Sequence, residues 1–237
     1  MLKVSNIRKI INGKIIIDDI SFNINLGNIY GLLGPNGAGK TTTFYSIAGL
    51  IKCDEGEIYL GDSNITKLPM HKRSKLGIKY LPQEPSIFQN LTVMENLMGL
   101  AELSYASKKD VDQFVEKSIE DFKLSKILNS KGRELSGGQR RKVEIARTLA
   151  ADPKIILLDE PFAGIDPIAI EEIQEILRIV ANNNIGILIT DHNVREALDI
   201  CYKSIVISQG KVIATGSKDD LISNELVKKV YIGKMYS

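Results

Sequence analysis

One segment, Gly34-Pro-Asn-Gly-Ala-Gly-Lys40-Thr41, limits the possible folds of this chain more than any other part of its sequence. It has the spacing G-x-x-x-x-G-K-[ST], follows the apolar run 29–33, and precedes a stretch of helical character that ends near Gly49. Backbone N–H groups of such a glycine-rich turn, together with those of the helix N-terminus, form a nest for phosphate groups. The sequence therefore predicts a phosphate-binding loop, or P-loop, between a strand and a helix of an α/β core.

The P-loop predicts the binding of nucleotide phosphates together with Mg²⁺. Lys40 is expected to pair with the β- and γ-phosphates, and the hydroxyl of Thr41 is expected to bind the metal. A chance glycine-rich turn is the alternative, and the flanking strand and helix disfavour it. The predicted phosphate-binding residues are Gly34, Pro35, Asn36, Gly37, Ala38, Gly39, Lys40, Thr41 and Thr42.

Short apolar runs mark the strands of the predicted core. Runs of four or five apolar residues without alternation are typical of strands buried on both faces, as in a parallel sheet. Such runs occupy 29–33, 155–158, 185–189 and 204–207. Further strands are predicted before the P-loop, at 2–7 and 15–24, on either side of the turn signal Asn12-Gly13.

Helical periodicity predominates between the two groups of strands, from 84 to 150. We therefore predict an α/β fold: a P-loop nucleotide-binding core with a mostly parallel sheet, an N-terminal antiparallel β portion and a helical subdomain insertion. The chain is expected to form a single domain, 1–237. Within it, 1–83 and 151–237 form the core, and 84–150 form the helical subdomain.

Composition excludes several classes of protein. The formal net charge of +2, from 31 Lys and Arg against 29 Asp and Glu, offers no support for nucleic-acid binding. No apolar run approaches the roughly 18 residues that a membrane span needs, and no secretory signal is evident at the N-terminus. Two cysteines and two histidines are too few and too scattered for a disulfide framework or a zinc site. We expect a cytoplasmic protein that does not insert into the membrane.

A carboxylate pair ends the apolar run 155–158. Asp159 stands at the end of a predicted buried strand, where a second ligand for the Mg²⁺ of a P-loop is expected. Glu160 follows at once and is expected to lie just beyond the strand, where a carboxylate can orient a water molecule and accept its proton. An exposed surface glutamate is the alternative for Glu160. The pair is a weak signal alone and a strong one beside a P-loop.

A second anion site is predicted at a second helix N-terminus. Leu135 is followed by Ser136, Gly137, Gly138 and Gln139, and helical residues follow directly. Serine and two glycines at a helix start leave backbone N–H groups available to an anion. The simpler interpretation is that Ser136 is the N-cap of the helix. The two interpretations are compatible.

Five motifs in chain order, GPNGAGKT, LPQE, LSGGQ, ILLDEP and ITDH, resemble those of the ATP-binding subunits of ABC transporters across nearly the whole chain. The resemblance implies a head-to-tail homodimer in which Ser136 to Gln139 of one subunit bind the γ-phosphate held by the P-loop of the other. It also implies that Gln83 senses Mg²⁺ and the attacking water. His192 would contact the γ-phosphate, and the loop at Asp166 would signal across the dimer.

Longer stretches of the sequence indicate a particular branch of this family. KTTTFY, YLPQEPSIF, DEPFAGIDPIAI, ITDHNVREAL and VKKVYIG are similar to the ATPase subunit of the lipopolysaccharide-export transporter of Gram-negative bacteria. This implies ATP hydrolysis on the cytoplasmic face of the inner membrane, beside integral-membrane partner subunits. ATPase subunits of branched-chain amino-acid importers share much of the pattern and are the nearest alternative. A soluble, non-transport ABC ATPase and a catalytically inactive nucleotide-binding module are the others.

Two further expectations come from this resemblance. Such subunits usually carry an aromatic residue between the first two strands to stack on adenine, and here Ile11 is the apolar substitute. Membrane subunits usually insert a short helix beside the loop that follows the LPQ motif. We therefore predict docking near Ile87, Phe88 and Leu91.

Overall fold

The computed structural model describes residues 1–233, which form two β-sheets surrounded by helices. The strands are β1 (Leu2–Ile11), β2 (Lys14–Ile24), β3 (Ile29–Leu33), β4 (Glu55–Leu60), β5 (Ser63–Asn64), β6 (Ile78–Leu81), β7 (Ile155–Asp159), β8 (Gly186–Thr190), β9 (Lys203–Ser208) and β10 (Lys211–Gly216). The helices are α1 (Lys40–Ala48), α2 (Met70–Lys75), α3 (Val93–Ser104), α4 (Lys108–Asp121), α5 (Gly137–Leu149), α6 (Pro167–Asn182), α7 (Val194–Ile200), α8 (Lys218–Ser223) and α9 (Glu225–Val227).

The larger sheet has the strand order β10-β9-β3-β8-β7-β6, and all its neighbouring strands are parallel except β10, which is antiparallel to β9. Every residue of β3, β7 and β8 is buried, because α1 and the strands β1 and β2 cover one face and α5, α6 and α7 cover the other. The predicted α/β fold is confirmed. Parallel strands end at one edge, so the P-loop after β3 lies at the same edge as the ends of β7 and β8.

The smaller sheet is antiparallel, in the order β2-β1-β4-β5. Asn12 and Gly13 connect β1 to β2 with φ angles of 50° and 76°, the left-handed conformations that a two-residue hairpin turn requires. The predicted antiparallel β portion is therefore present. Its β2 strand passes the P-loop, since the Asp18 N–H donates to the Gly210 carbonyl and the Ala38 carbonyl accepts from the Gly210 N–H.

The segment 84–150 contains α3, α4 and α5 and two short 3₁₀ turns, at 125–127 and 132–134. Buried side chains of α3 and α4, among them Val93, Leu97 and Val115, belong to the same apolar core as the strands β7 and β8. The helical content of this segment agrees with the sequence pattern. The subdomain boundaries at 84 and 150 stay a prediction.

The short helix α2 contains a buried arginine that the sequence pattern did not reveal. Arg73 is 1% exposed. Its guanidinium donates to the carbonyls of Ser46 (2.7 Å) and Ile47 (2.8 Å), which belong to the last turn of α1. It also donates to the carbonyls of Leu68 and Thr66, each at 2.8 Å. Arg73 thus satisfies carbonyls that a helix C-terminus leaves unpaired, and it fixes α2 against the helix that follows the P-loop.

None of the helices within residues 1–233 has both the length and the apolar character that a membrane crossing requires.

Candidate nucleotide-binding site

The P-loop depends on glycine at two positions where the chain is closely packed. At Gly34 φ is +148°, and an added Cβ would lie 2.0 Å from the Ile207 carbonyl oxygen. At Gly39 φ is +102°, and a Cβ would lie 2.8 Å from the Ile16 carbonyl oxygen. Gly39 is also the N-cap of α1 and has no side chain with which to cap it. The first N–H groups of α1 are therefore available to an anion.

Lys40 lies inside the P-loop and is 8% exposed. Its ammonium group donates to the carbonyls of Gly34 (2.7 Å) and Pro35 (3.0 Å). Burial lowers the pKa of Lys40, while the charges of Glu160 and Asp159 act in the opposite direction. The ammonium of Lys40 is therefore close enough to both carboxylates for their charges to act on it.

The other predicted phosphate-binding residues divide into a buried and an exposed group. Ala38 and Gly39 are buried, while Asn36, Gly37 and Thr41 are exposed and Thr42 is half-buried. The exposed group lies at the surface of the loop, where a ligand has access. The assignment of these residues to phosphate binding stays a prediction.

Asp159 ends β7 and is held by the two neighbouring strands. Its Oδ1 accepts from the hydroxyl of Thr190 on β8 at 2.6 Å, and its Oδ2 accepts from the hydroxyl of Tyr80 on β6 at 3.2 Å. The sequence patterns predicted neither partner. Thr190 carried a usable signal, because a polar residue that ends a buried strand lies at the same edge as the P-loop.

Glu160 and His192 form a pair at the strand ends. His192 Nε2 lies 2.6 Å from Glu160 Oε1, and the side chains are 53% and 17% exposed. Glu160 has a φ of 47°, in the left-handed region, and its N–H donates to the Thr190 carbonyl at 3.0 Å. The structure therefore brings the predicted catalytic Glu160 and His192 into direct contact.

The buried carboxylate of Asp191, next to His192 in the sequence, connects the loop after β7 to the loop after β8. Asp191 accepts from the Phe162 N–H (2.9 Å) and the Asn193 N–H (2.8 Å). Burial raises the pKa of Asp191 to about 6, although both N–H donors act to lower it. Sequence analysis missed this aspartate, which is adjacent to a predicted site residue and connects the loop after β7 to the loop after β8.

The donor atoms at this edge suit Mg²⁺. Within residues 1–233 no cluster of three or more His, Cys, Asp or Glu side chains could hold a metal by itself. Mg²⁺ typically takes one or two protein carboxylates and obtains its remaining oxygen ligands from phosphates and water. The carboxylate of Asp159 and the hydroxyl of Thr41 are both oxygen donors, and a nucleotide bound at the nearby P-loop would supply the phosphates.

The second anion motif begins α5, and its simpler interpretation is confirmed. Ser136 Oγ accepts from the Gln139 N–H at 3.3 Å, and Gln139 Oε1 accepts from the Ser136 N–H at 3.0 Å, which is a capping box. Ser136 and Gly137 are exposed, whereas Gly138 packs so closely that a Cβ would lie 2.5 Å from the Ala169 Cβ. The exposed residues remain accessible to a ligand.

Gln83 is exposed and lies in the loop after β6. Together with Glu160 and Gly137 it lines one cleft of about 170 Å³. The structure thus brings together three of the motifs that are far apart in the sequence. Asp166, in the loop that follows Glu160, is exposed and caps α6 by accepting from the Ala169 N–H at 3.0 Å.

Two buried charges on α5 also belong to this region. Arg141 donates to the Pro82 carbonyl (3.0 Å) and the Asp159 carbonyl (3.2 Å), and it pairs with Glu144 at 3.2 Å. Sequence analysis did not find them, because two opposite charges three residues apart on a helix usually form a surface pair. Here they connect α5 with the end of β7 and with the loop that contains Gln83.

The structure corrects one of the three predicted docking residues. Ile87 is only 5% exposed and packs in the main core. The reason is that Glu144 Oε1 accepts from the N–H groups of Ser86 (2.6 Å) and Ile87 (3.3 Å), which holds this segment against α5. Phe88 and Leu91 are 52% and 39% exposed and remain available to a partner.

Ile11 ends β1 at the tip of the first hairpin and is 37% exposed. Replacing it with tyrosine is expected to tighten ATP binding by up to about 1 to 3 kcal/mol, because an aromatic ring would stack on the adenine base. Calorimetric titration of ATP would measure this gain. The matched control is Ile10→Tyr, whose side chain points to the other face of the strand. Equal or weaker affinity of Ile11→Tyr would contradict the assignment.

Comparisons with known proteins identify the family. Residues 17–163 match the family described as "ABC transporter". The lipopolysaccharide export system ATP-binding protein LptB of Haemophilus influenzae is 49% identical, covering 100% of this chain and 98% of the relative. The protein of the same name from Escherichia coli strain K12 is 46% identical, covering 98% and 97%.

Solved structures of the same family have the same fold as this chain. An ATP-binding cassette of an ABC transporter in its ADP conformation superposes with a TM-score of 0.87 at 31% identity, covering 98% of each chain. A dimeric cassette in a post-hydrolysis state, bound to ADP and Pi, superposes with a TM-score of 0.78 at 26% identity, covering 92% of this chain and 99% of the other. The chain therefore belongs to the ATP-binding proteins of the ABC transporter family.

Proposed function

We propose that this protein is the ATP-hydrolysing subunit of an ABC transporter that exports lipopolysaccharide. The observation that carries the proposal is the 49% identity, over the whole chain, to a lipopolysaccharide export ATP-binding protein. This likeness favours lipopolysaccharide export over the import of branched-chain amino acids and over a soluble, non-transport role. The contact between Glu160 and His192 beside the P-loop supports an active ATPase rather than an inactive nucleotide-binding module.

In the proposed mechanism, residues at the sheet edge that carries the P-loop bind and orient the nucleotide phosphates. The backbone N–H groups of the loop and the Lys40 ammonium hold the β- and γ-phosphates in position. Thr41 and Asp159 would hold Mg²⁺, which neutralises charge on the phosphate oxygens when it is bound. Gln83, in the same cleft as Glu160, would orient the attacking water and contact the metal.

Glu160 is proposed as the general base. Its carboxylate accepts a proton from the water that attacks the γ-phosphorus, and the products are ADP and inorganic phosphate. His192, 2.6 Å from Glu160 Oε1, fixes the orientation of the carboxylate and would also contact the γ-phosphate. The left-handed backbone at Glu160 directs its side chain away from the strand and into the cleft.

The active form is proposed to be a head-to-tail homodimer. Ser136, Gly137, Gly138 and Gln139 of one subunit would bind the γ-phosphate that the P-loop of the other holds. The exposure of Ser136 and Gly137 at the N-terminus of α5 supports this role. The loop at Asp166 would lie at the dimer interface and signal across it.

The membrane partners are proposed to dock on the exposed side chains Phe88 and Leu91, which would place the protein on the cytoplasmic face of the inner membrane. The Arg147 guanidinium lies 4.6 Å from the centre of the Phe88 ring. One face of the ring therefore packs on α5, and the rest is free for a partner. An aromatic anchor of this kind is typical of the centre of a protein interface.

Expression of the chain with its native membrane subunits tests the proposed function. The complex would be purified in detergent, and mass spectrometry would identify the bound chains. After reconstitution of the complex in vesicles, an assay would measure ATP-dependent release of lipopolysaccharide. Release that requires ATP is the expected result. Co-purification with amino-acid permease subunits, or purification with no membrane protein at all, would contradict the proposal.

The Phe88→Ala variant is expected to leave the melting temperature of the isolated protein nearly unchanged, because a cation–π contact at an exposed site contributes only about 0.5 to 1 kcal/mol. The same change should weaken binding to the membrane subunits by roughly 1.5 to 3 kcal/mol, the value of burying such a side chain. Thermal melts and pull-downs measure the two effects.

The control for this pair of measurements is Phe122→Ala. Phe122 is 2% exposed in the core of the helical segment. Its truncation should cost about 3 to 5 kcal/mol of folding stability. If Phe88→Ala instead lowered the melting temperature as much as Phe122→Ala and left the pull-down unchanged, Phe88 would be a structural residue.

A further inference from the structure

Tyr80 connects three parts of the nucleotide site. It lies on β6, three residues before Gln83, and its hydroxyl donates to Asp159 Oδ2 at 3.2 Å. Its ring meets the ring of Tyr45, on the P-loop helix α1, edge to face, with 6.0 Å between the ring centres. The side chain therefore lies between the helix that follows the P-loop and the carboxylate at the end of β7.

The two oxygens of the Asp159 carboxylate are fixed from opposite sides. Thr190 on β8 donates to Oδ1, and Tyr80 on β6 donates to Oδ2. Each carboxylate oxygen can accept more than one hydrogen bond or metal ion, so each keeps a lone pair for another ligand. A carboxylate held in this way cannot rotate freely, which fixes the direction in which its remaining lone pairs point.

The Tyr80 hydroxyl donates its hydrogen bond to a carboxylate oxygen, which acts only as an acceptor when the carboxylate is ionised. An ordinary core tyrosine needs only some partner for its hydroxyl, whereas this one is directed at the predicted metal ligand.

We propose that Tyr80 is a positioning residue for Mg²⁺: its hydroxyl holds Oδ2 of Asp159 so that the carboxylate faces the metal bound beside the P-loop. Partners of this kind, behind a metal ligand, typically change metal affinity by roughly 10- to 100-fold when they are removed. The inference rests on the proposed role of Asp159 as a metal ligand. It adds a role for Tyr80, which opens the stretch YLPQEPSIF but was not among the predicted site residues.

The Tyr80→Phe variant tests the inference, because it removes the hydroxyl and keeps the ring that packs against Tyr45. Binding of Mn²⁺, as a substitute for Mg²⁺, is measured by electron paramagnetic resonance in the presence of ADP. We expect the Mn²⁺ affinity to fall by roughly 10-fold. ADP affinity without metal and the melting temperature should match those of the unaltered protein. Tyr59→Phe is the control, since its hydroxyl donates to the exposed Glu57, in the smaller sheet rather than the one that contains Asp159.

The Asp159→Asn variant, measured in parallel, distinguishes the positioning role of Tyr80 from the role of Asp159 as a metal ligand. If Asp159→Asn weakens Mn²⁺ binding and Tyr80→Phe does not, the role of Tyr80 is overturned while the proposed metal ligand stands. If Asp159→Asn leaves Mn²⁺ binding unchanged, Asp159 is not a metal ligand, and the inference fails with it. If Tyr80→Phe lowers the melting temperature and the metal-free ADP affinity along with Mn²⁺ affinity, the hydroxyl supports the fold rather than the metal, which also overturns the inference.

Discussion

Replacing Glu160 with glutamine is expected to lower ATP turnover by roughly 10²- to 10⁴-fold, the contribution typical of a general base. ATP binding should persist, because the amide keeps the size of the side chain and the P-loop is unchanged. Because the proposed head-to-tail dimer holds ATP between its two subunits, a variant that binds ATP without hydrolysing it should accumulate as an ATP-bound dimer. A phosphate-release assay measures turnover, and size-exclusion chromatography with ATP and Mg²⁺ measures dimer formation.

Glu116→Gln is the matched control for this experiment. Glu116 is an exposed residue of α4, outside the nucleotide site. Its amide variant should hydrolyse ATP at the normal rate and should not accumulate as a dimer. If Glu160→Gln kept normal turnover, another group would be the base, and a failure to form the ATP-bound dimer would contradict the proposed head-to-tail dimer.

The second large effect is expected from Arg73→Met, which should lower the free energy of unfolding by about 3 to 5 kcal/mol. Methionine fills much of the space of arginine but donates no hydrogen bond. The carbonyls at the end of α1, and those of the loop before α2, would then be buried without a partner. Each such carbonyl costs about 1 to 3 kcal/mol of stability. At this chain length each kcal/mol shifts the melting temperature by about 2 to 4 °C. Thermal and denaturant unfolding measure the loss.

The neighbouring exposed residue provides the comparison. Lys72 lies on the same short helix, and Lys72→Met removes one positive charge from the surface without burying a polar group. Its effect should stay within about 0.5 kcal/mol, as for most surface substitutions. Equal stability of the two variants would show that the contacts of Arg73 with α1 contribute little.

The fold was predictable from sequence because its main signals are local. The strands β3, β7 and β8 are apolar apart from the polar residues that end β7 and β8, and Asn12-Gly13 specifies a hairpin turn without help from the rest of the chain. The P-loop likewise carries its own geometry, since glycine at positions 34 and 39 is required by the backbone itself. Such features are determined within a few residues.

The partners of the site residues were not predictable in the same way. Arg73, Arg141 and Glu144 look like surface charges in the sequence, because only the tertiary fold decides that they are buried. Tyr80 and Thr190 reach Asp159 through the order of strands in the sheet, with β6 on one side of β7 and β8 on the other. Ile87 was mistaken for a docking residue for the same reason, since its burial depends on a carboxylate more than fifty residues away.

The left-handed backbone of Glu160 has an evolutionary consequence. Side chains with a Cβ are strained in this conformation by about 1 to 2 kcal/mol, whereas glycine adopts it freely and asparagine more readily than glutamate. Replacing Glu160 with glycine or asparagine would therefore reduce the backbone strain and would also remove the carboxylate. With Glu160 as the proposed general base, selection for hydrolysis and selection for stability act in opposite directions at this one position. A lineage that no longer needed ATP turnover would then be expected to lose this glutamate before it lost its fold.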